Sequence, residues 1–388
     1  MKDTKPAKMH VAMIGHKRVP SREGGVEVVV WELAKRLRDR GLEVDCYNRS
    51  YHMNPGIYEK IEGKPGVYSD RIRIITVPTV RNGKLNAIVY SFFASIRVLF
   101  THYDVIHYHA EGPCLMLWLP KLFGRRVIAT VHGLDWQRAK WGHFASGMLK
   151  LGEKMAAKHA DEIIVLSRNV QDYFRQTYGR ETHFIPNGID PPTYRTPGEI
   201  TKRWGLQGDD YIMTLCRIVP EKGLHYIIEA WKKLYAENPE LPRKKLLIVG
   251  GSSNAKEYTE KIEAMAADSP DILLTGFAEG DTLAELLSNC FCYCLPSDVE
   301  GMSISLLEAM SYGNCCVVSD IRENTEVVSD RAVTFRKSDV DDLKEKLKML
   351  LLDPDLVWKY RNMASDYILK NYNWDEMTNQ TLALYEKK

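Results

Sequence analysis

The stretch from Glu300 to Glu308, Glu-Gly-Met-Ser-Ile-Ser-Leu-Leu-Glu, links a predicted strand to a predicted helix. An apolar run over residues 289–295 ends in a Pro-Ser-Asp triplet, which is typical of a buried strand that enters a loop. After Gly301 the apolar residues follow helical spacing as far as Gly313, a residue that favours the end of a helix. Glu300 is therefore predicted in the loop at the carboxyl end of a strand, and Glu308 inside the following helix. In open α/β sheets this end of the strands binds ligands.

The start of this helix has the chemistry of a phosphate site. Ser303 and the first free N–H groups of the helix are expected to face the crevice, and helix N-termini bind phosphate. Carboxylates accept hydrogen bonds from hydroxyls, so two acids beside a helix N-terminus suggest a sugar nucleotide as ligand. The alternative is a loop acid, Glu300, and a helix acid, Glu308, on a solvated surface, because one short motif has low specificity.

The composition is that of an ordinary globular chain. It has 388 residues, of which 45% are hydrophobic and 27% are charged, and this length suffices for two domains. The formal net charge of +2 gives no basic excess for a nucleic-acid partner. No apolar run is long enough to span a membrane, and the polar N-terminus from Met1 to Pro6 lacks an apolar signal core. We therefore expect a cytoplasmic protein.

The eight cysteines also favour a reducing compartment. Cys290, Cys292 and Cys294 alternate along the predicted strand and so share one of its faces, while Cys315 and Cys316 begin the next strand. Cysteine at such positions is most simply a small buried apolar residue. A zinc site is the alternative, but zinc ligands usually come in pairs two to four residues apart in turns.

The first half of the chain opens with a strand, a loop containing glycines and a helix. An apolar run over residues 9–15 is followed by a loop that ends at Gly24 and Gly25, and helical spacing then covers residues 26–40. This layout brings backbone close to a ligand, although the loop is not G-x-G-x-x-G and a dinucleotide fingerprint is absent. A tight turn that needs glycine for its own geometry is the alternative.

A later strand of this half, residues 126–131, delivers His132 to its carboxyl end, with Gly133 next. A histidine at a strand end is either structural or part of a binding site, and its position alone leaves both open. Further along, Ser167 is expected to cap a helix over residues 169–178.

Residues 85–100 are predicted to form a helix that is apolar or aromatic on most sides. Such helices are usually buried, so we expect this one to pack against the sheet. The alternative is a patch at a membrane surface, helped by Lys84 and Arg97, that would give weak peripheral attachment.

A proline-rich link over residues 191–198 separates two halves that each alternate strands with helices. In the second half, a strand over residues 211–216 leads into a loop that carries Arg217 and Lys222 and precedes a helix. Two cations five residues apart beside a helix N-terminus favour a diphosphate site.

The acidic stretch resembles the E-x7-E motif of the family 4 retaining glycosyltransferases, which have the GT-B fold. Further matches to that family follow in order along nearly the whole chain: Gly24-Gly25, His132-Gly133, Ile-Pro-Asn-Gly-Ile-Asp at 185–190 and the R-x4-K-G segment from Arg217 to Gly223. The resemblance implies an α/β protein with two Rossmann-like domains facing a cleft. Residues 1–190 would form the acceptor-side domain, with a helix over 374–388 crossing back to it, and residues 191–373 the domain that binds the nucleotide sugar. Residues 51–70 are interpreted as an acceptor-side loop.

The resemblance also implies an activity and a set of roles. A hexosyl group would pass from a nucleotide-diphosphate sugar to a saccharide or lipid-linked glycan, with retention of the anomeric configuration. Arg217 and Lys222 would hold the diphosphate. Glu300 would hold sugar hydroxyls, His132 the sugar or its phosphate, and Glu308 the ribose. The remaining donor contacts are mostly glycines and the start of the acidic helix: Gly24, Gly25, Gly276, Phe277, Gly301, Met302 and Ser303.

No metal ion or other cofactor is required, because two cations take the place of a divalent ion. An Asp-Pro-Asp triplet at residues 353–355 lies between two predicted helices and is interpreted as a turn and N-cap, not a metal site. Residues 16–27 resemble members of the family that build bacterial surface polysaccharides. The alternatives are a GT-B-fold sugar-nucleotide isomerase or epimerase, which is not expected to pair both charged motifs, and a catalytically dead binding protein, which is expected to have lost one of them.

Overall fold

The computed structural model describes residues 9–50, 67–69, 71–80, 85–137, 142–251 and 255–387. The interpretation of residues 51–70 as an acceptor-side loop falls outside these ranges, apart from one short strand.

The chain divides into two compact units. Unit 1 comprises the described residues up to Asn187, together with the C-terminal segment that begins at Trp374. Unit 2 extends from Gly188 to Asn373. The predicted first division lies three residues later, after Asp190.

The strands form one sheet in each unit. In chain order they are β1 (His10–Ile14), β2 (Glu43–Arg49), β3 (Val67–Ser69), β4 (Ile72–Val77), β5 (Val105–His109), β6 (Val127–Val131), β7 (Glu162–Val165), β8 (His183–Phe184), β9 (Tyr211–Leu215), β10 (Lys245–Val249), β11 (Ile272–Gly276), β12 (Cys292–Leu295), β13 (Cys316–Ser319) and β14 (Val333–Phe335). The sheet of unit 1 has the order β3-β4-β2-β1-β5-β6-β7-β8, and that of unit 2 the order β11-β10-β9-β12-β13-β14. All described neighbours are parallel except β3 and β4.

Helices connect these parallel strands, as parallel pairing requires. They are α1 (Gly25–Asp39), α2 (Asn86–Arg97), α3 (Glu111–Cys114), α4 (Trp118–Leu122), α5 (His143–His159), α6 (Arg168–Tyr178), α7 (Glu199–Trp204), α8 (Leu224–Glu237), α9 (Lys256–Ala266), α10 (Gly280–Asn289), α11 (Ile304–Ser311), α12 (Arg322–Val328), α13 (Val340–Leu352), α14 (Pro354–Asn371) and α15 (Trp374–Glu386). Short 3₁₀ helices cover Val98–Phe100, Asp135–Gln137 and Pro220–Lys222. None of the described helices combines the length and apolarity that crossing a membrane requires.

Two glycines let neighbouring strand ends approach closely. Gly15 follows β1 with φ of +127°, and a Cβ there would lie 2.0 Å from the carbonyl oxygen of His109 at the end of β5. Gly250 follows β10 with φ of +136°, and its Cβ would lie 1.9 Å from the carbonyl oxygen of Cys216 after β9. Only glycine satisfies both the backbone conformation and the space at these positions.

Helix ends agree with the sequence predictions where a capping residue marks them. The hydroxyl of Ser167 accepts a hydrogen bond from the N–H of Val170 at 3.2 Å, so the predicted cap is confirmed. The predicted strand over residues 289–295 is wrong at its start, because β12 begins at Cys292. Asn289 instead ends α10, where its side-chain amide donates to the carbonyl of Glu285 at 2.7 Å.

The aromatic helix predicted over residues 85–100 is buried on one side only. Tyr90 and Ala94 are fully buried, and the hydroxyl of Tyr90 donates to the carbonyl of Tyr47. Phe92 and Phe93 on the other side are exposed. The core interpretation is therefore confirmed for one face of α2 and wrong for the other, because one sheet covers only one side of a helix.

All eight cysteines are free, and seven of them are buried. Cys292, Cys294 and Cys315 belong to the core of unit 2. The interpretation of these residues as small apolar core residues is confirmed.

Candidate active site

The strand order of unit 2 creates a switch point between β9 and β12. The chain leaves β9 for β10 on one side and later returns to β12 on the other. Crossovers on opposite sides leave a crevice at the carboxyl ends of the two central strands. The loop after β9 carries Arg217 and Lys222, and the loop after β12 carries Glu300. The fold thus places all three predicted residues at one end of one sheet.

Backbone contacts lock these two loops together. Gly223 has φ of +64°, and a Cβ there would lie 2.0 Å from the carbonyl oxygen of Pro296. The N–H of Asp298 donates to the carbonyl of Glu221 at 2.9 Å, and the hydroxyl of Tyr226 donates to the Asp298 carboxylate at 3.1 Å. The glycine of the R-x4-K-G segment is therefore required where the loops cross.

Lys222 and Glu300 form a direct ion pair. The Lys222 Nζ lies 2.5 Å from the Glu300 Oε1, and the two side chains are only 13% and 8% exposed. The ammonium has three N–H donors and gives one to this carboxylate, so two remain for another acceptor. Separate ligands were predicted for the two residues, and their pairing with each other was not predicted. They are 78 residues apart, and no local pattern signals the contact.

Arg217 lies five residues before Lys222 in the sequence, and its side chain is half-buried. It makes no hydrogen bond or ion pair with any residue that the structure describes. A guanidinium is planar, permanently charged and carries five N–H donors in a fork that matches phosphate oxygens. The side-chain donors of Arg217 are thus not used by the described part of the protein.

The loop after β12 ends at the capped start of α11. The hydroxyl of Ser303 accepts from the backbone N–H three residues on, at 3.4 Å, and lies 3.1 Å from the hydroxyl of Ser305. The hydroxyl of Tyr293 donates to Ser305 at 2.8 Å. Gly301 and Met302 are buried together with Ser303. A helix N-terminus held in this way presents a partial positive charge to the crevice.

Glu308 lies on the less buried side of α11. The residues that face the core are Leu306, Leu307, Ala309 and Met310, whereas Ile304, Ser305 and Glu308 are half-buried. Positions four apart share a face, so Glu308 lies about 6 Å along the helix axis from Ile304. Glu308 is therefore near the Ser303-capped start of α11, but about one turn further along the helix than the free N–H groups of that start.

Gly276 and Phe277 lie at the end of β11, two strands away from β9, which corresponds to about 10 Å across the sheet. Gly276 has φ of +74°, and its carbonyl accepts from the N–H of Gly250 at 2.8 Å. The Phe277 side chain is exposed. These residues belong to the same edge of the sheet as the charged loops.

In unit 1, His132 follows β6 as predicted and belongs to a row of histidine rings. Its Nε2 lies 3.2 Å from the Nδ1 of His109, which ends the neighbouring strand β5. The His109 and His107 rings are in contact, with centroids 4.1 Å apart and planes tilted by 31°. His107 in turn lies 2.6 Å from the hydroxyl of Tyr385 and 2.7 Å from that of Thr130. His109 was not predicted as a site residue, although alternation of His107 and His109 along a strand puts both on one face.

Burial favours the uncharged form of His107, His109 and His16. It lowers the pKa of His107 to about 3 and that of His16 to about 4, and it holds the pKa of His109 well below its usual range. A neutral imidazole has one N–H and one lone pair, so a fixed neighbour selects the tautomer. His109 is therefore placed to orient the ring of His132.

The predicted glycine loop of unit 1 is held by polar side chains. The Glu27 carboxylate accepts from the N–H of Lys17 at 2.8 Å, and Asn48 bonds the loop backbone at both an N–H and a carbonyl. A Cβ on Gly24 would lie 2.3 Å from Glu27, so the small residue provides space for that carboxylate. Gly25 is the first residue of α1.

A buried acid of unit 1 was not predicted. Glu111 begins α3 and is fully buried. Burial, and after it the negative charges of Asp135 and Glu153, raise the pKa of Glu111 to about 11. Its carboxyl group is therefore neutral at physiological pH.

The Asp-Pro-Asp triplet has the structural role expected of it. The carboxylate of Asp353 accepts from the N–H of Leu356 at 3.0 Å and caps α14. Across the described ranges, no group of three or more His, Cys, Asp or Glu side chains is arranged to hold a metal ion.

Family models match both halves of the chain. The model for Glycosyltransferase Family 4 matches residues 23–192, and that for Glycosyl transferases group 1 matches residues 198–370. The chain belongs to glycosyltransferase family 4. The resemblance seen in its motifs is thereby confirmed, and the enzyme is a glycosyltransferase.

Individual proteins are similar to this family 4 glycosyltransferase over nearly its whole length. D-inositol 3-phosphate glycosyltransferase of Stackebrandtia nassauensis is 25% identical, over 93% of this chain and 86% of that protein. Sucrose-phosphate synthase from Thermosynechococcus elongatus superposes with a TM-score of 0.81 at 20% identity, covering 97% of this chain and 98% of that one. Anabaena HepE, solved with UDP-glucose, gives a TM-score of 0.77 at 17% identity, covering 97% and 100%. These likenesses and the two parallel sheets confirm the predicted α/β GT-B fold.

Proposed function

We propose that this glycosyltransferase moves a hexosyl group from a nucleotide-diphosphate sugar to a saccharide or lipid-linked glycan, with retention of configuration. One observation carries the proposal. Arg217 and Lys222 share the switch point of the unit 2 sheet with the Ser303-capped start of α11. Guanidinium, ammonium and helix N-terminus each attract phosphate oxygens, and all three occur at the place where such sheets bind nucleotides.

The remaining parts of a nucleotide fit the same edge. The ribose hydroxyls would bond to Glu308, and the base would lie against the backbone of Gly276 and Phe277, about 10 Å from β9. A structure of the same fold, Anabaena HepE, is described as a complex with UDP-glucose, which supports a nucleotide sugar as donor here.

The cations would act mainly on the leaving group. As the bond from the anomeric carbon to the diphosphate breaks, negative charge grows on the phosphate oxygens. Arg217 and the two remaining N–H donors of Lys222 would stabilise that charge in the transition state. Loss of one preorganised donor of this kind typically costs about 2.7–4 kcal/mol, roughly a hundred- to a thousand-fold in rate.

Glu300 would hold the sugar and would not attack it. Its Oε1 is engaged by Lys222, which leaves Oε2 to accept from a sugar hydroxyl. A carboxylate paired with an ammonium is a weaker nucleophile than a free one, which supports transfer on a single face of the sugar. The acceptor oxygen would bond to the anomeric carbon on the face that the diphosphate leaves, and the acceptor proton would pass to a phosphate oxygen.

Unit 1 would supply His132 to the sugar or its phosphate, and Gly24 and Gly25 to the donor diphosphate. These roles rest on the family resemblance. They are supported by the contact of the His132 ring with His109 and by the hydrogen bonds of Glu27 and Asn48 to the backbone of the glycine loop.

No metal ion is needed in this proposal, since Arg217 and Lys222 supply the positive charge at the diphosphate. The eight free cysteines support a reducing compartment, and we place the reaction in the cytoplasm, in the synthesis of a surface polysaccharide.

A thermal-shift series with UDP, GDP, dTDP and ADP and their sugars tests the donor class. A ligand at 100 times its dissociation constant stabilises the folded protein by about 2.7 kcal/mol, so at least one of the nucleotides should raise the melting temperature. With the donor found, NMR of the product reports its anomeric configuration, and transfer should persist in EDTA. No shift with any nucleotide would contradict the donor proposal, and activity that is lost with EDTA and restored by manganese would contradict metal independence.

A further inference from the structure

Unit 1 concentrates its exposed apolar side chains on one run of helices. Among the described residues of unit 1, every large apolar side chain that is clearly exposed falls between Val80 and Leu151. The largest exposures are those of Phe100 at 85%, Leu122 at 73%, Phe144 at 70% and Phe123 at 63%. Apolar surface that is gathered in one place, not scattered singly, marks an interaction site.

The elements that carry these side chains touch one another. Helix α2 packs against α4, and α4 packs against α5. A cavity of about 300 Å³ lies between α4 and α5 and is lined by Trp118, Lys121, Leu122, Met155 and His159. Arg125, just after α4, donates to the carbonyl of Leu99 at 3.4 Å and ties the 3₁₀ helix Val98–Phe100 to the same region. We call the exposed sides of α2, this 3₁₀ helix, α4 and α5 the apolar–basic face.

The charges on the apolar–basic face are of one sign. Lys150, Lys154 and Lys158 are exposed and follow one another at four-residue intervals, so they form a stripe along α5. These helices contain a single acid, Glu153, which is fully buried and accepts from the hydroxyl of Tyr173 at 2.8 Å. On α4, Lys121 pairs with Asp161, which follows α5, at 2.5 Å. The three lysines of the stripe on α5 have no acidic partner among the described residues, so the stripe is basic.

We propose that the apolar–basic face docks on the surface of an anionic phospholipid bilayer. Phenylalanine, leucine and tryptophan side chains would enter the boundary between headgroups and acyl chains, and the lysines would reach anionic phosphates over the aliphatic part of their side chains. A protein partner fits the observations less well, because lysine is depleted at the centres of protein interfaces. The face belongs to unit 1, whereas the charged loops belong to unit 2, and the proposal does not depend on the identity of the donor.

Flotation of the full-length protein with vesicles tests this inference. Vesicles of equal parts phosphatidylglycerol and phosphatidylcholine should carry the protein, and vesicles of phosphatidylcholine alone should carry much less. Lys154→Gln/Lys158→Gln should bind the anionic vesicles about 25-fold more weakly, because each lysine near the surface raises the affinity about fivefold. Leu122→Ser/Phe123→Ser should also weaken binding, and added salt should weaken that of the wild type.

A matched control comes from unit 2. Leu352→Ser/Trp358→Ser/Lys256→Gln changes two apolar residues that are 61% and 69% exposed and one exposed lysine, and it should bind like the wild type. Circular dichroism melting shows whether each variant folds. Three results would overturn the proposal: no binding of the wild type to anionic vesicles, equal binding by all variants, or equal binding to neutral and anionic vesicles. A dimer in sedimentation that Leu122→Ser/Phe123→Ser dissociates, without vesicle binding, would instead assign the face to a second copy of the chain.

Discussion

Replacing Lys222 by methionine removes the cation from its ion pair and leaves the Glu300 carboxylate buried beside an apolar side chain. Removing one partner of a buried pair typically destabilises a protein by about 3–5 kcal/mol, because the other charge stays out of water without compensation. Both side chains keep a small exposure, so we expect the lower end of that range, about 3 kcal/mol. For a unit of this size, 1 kcal/mol corresponds to about 2–4 °C in melting temperature. The expected drop is therefore about 6–12 °C.

Differential scanning calorimetry of the full chain measures this drop. Lys222→Met/Glu300→Gln should recover much of it, because a neutral amide replaces the unpaired charge, and the two changes should fall short of additivity. Lys256→Met is the matched control, since Lys256 is highly exposed and lies 3.6 Å from Glu260; it should stay within about 0.5 kcal/mol of the wild type. A melting temperature for Lys222→Met within 1 °C of the wild type, or a double variant that loses the full sum, would refute the reasoning.

Three further predictions concern other residues of the site. Glu300→Gln should lower turnover more than nucleotide affinity, and Glu308→Gln should weaken the nucleotide itself; equal losses in calorimetric titrations with the bare diphosphate would contradict this division. His109→Ala should lower kcat roughly tenfold, about one hydrogen bond in energy, with nucleotide affinity unchanged and partial rescue by His109→Gln, because His109 positions His132; a change in nucleotide affinity would count against a positioning role. The pKa of Glu111, raised to about 11, means that the folded state keeps a proton that the unfolded chain releases near pH 4.5, so this group destabilises the fold increasingly as pH rises above that value. Glu111→Gln should therefore melt higher than the wild type at pH 8 but not at pH 4, and an equal difference at both pH values would argue against the buried neutral carboxyl.

Local signals predicted those parts of the site that depend on neighbouring residues. Ser167 was predicted to cap a helix and does so, because a hydroxyl before a helix satisfies a free N–H, whatever the rest of the chain does. Arg217 and Lys222 follow a strand, and the parallel alternation places them at the ligand-binding edge. These features are readable from a few consecutive residues.

Features that depend on distant contacts were not predictable in the same way. The Lys222–Glu300 pair joins loops that are brought together only by the order of β9 and β12 in the sheet. The contact of His109 with His132 depends in the same way on β5 lying beside β6. In α2 the aromatic residues lie on several sides, so the sequence alone does not show which side the sheet covers.

Isothermal titration of the nucleoside diphosphate chosen by the thermal-shift series tests the central claim most directly, that the loops after β9 and β12 hold the donor diphosphate. Arg217→Ala should weaken binding by about 1.5–3 kcal/mol, the contribution of a charge-assisted hydrogen bond, or roughly 10- to 150-fold. Arg203→Ala, which removes an exposed arginine paired with Glu199 on α7, should bind like the wild type. Wild-type affinity in Arg217→Ala, with an unchanged melting temperature, would contradict the claim and place the nucleotide elsewhere.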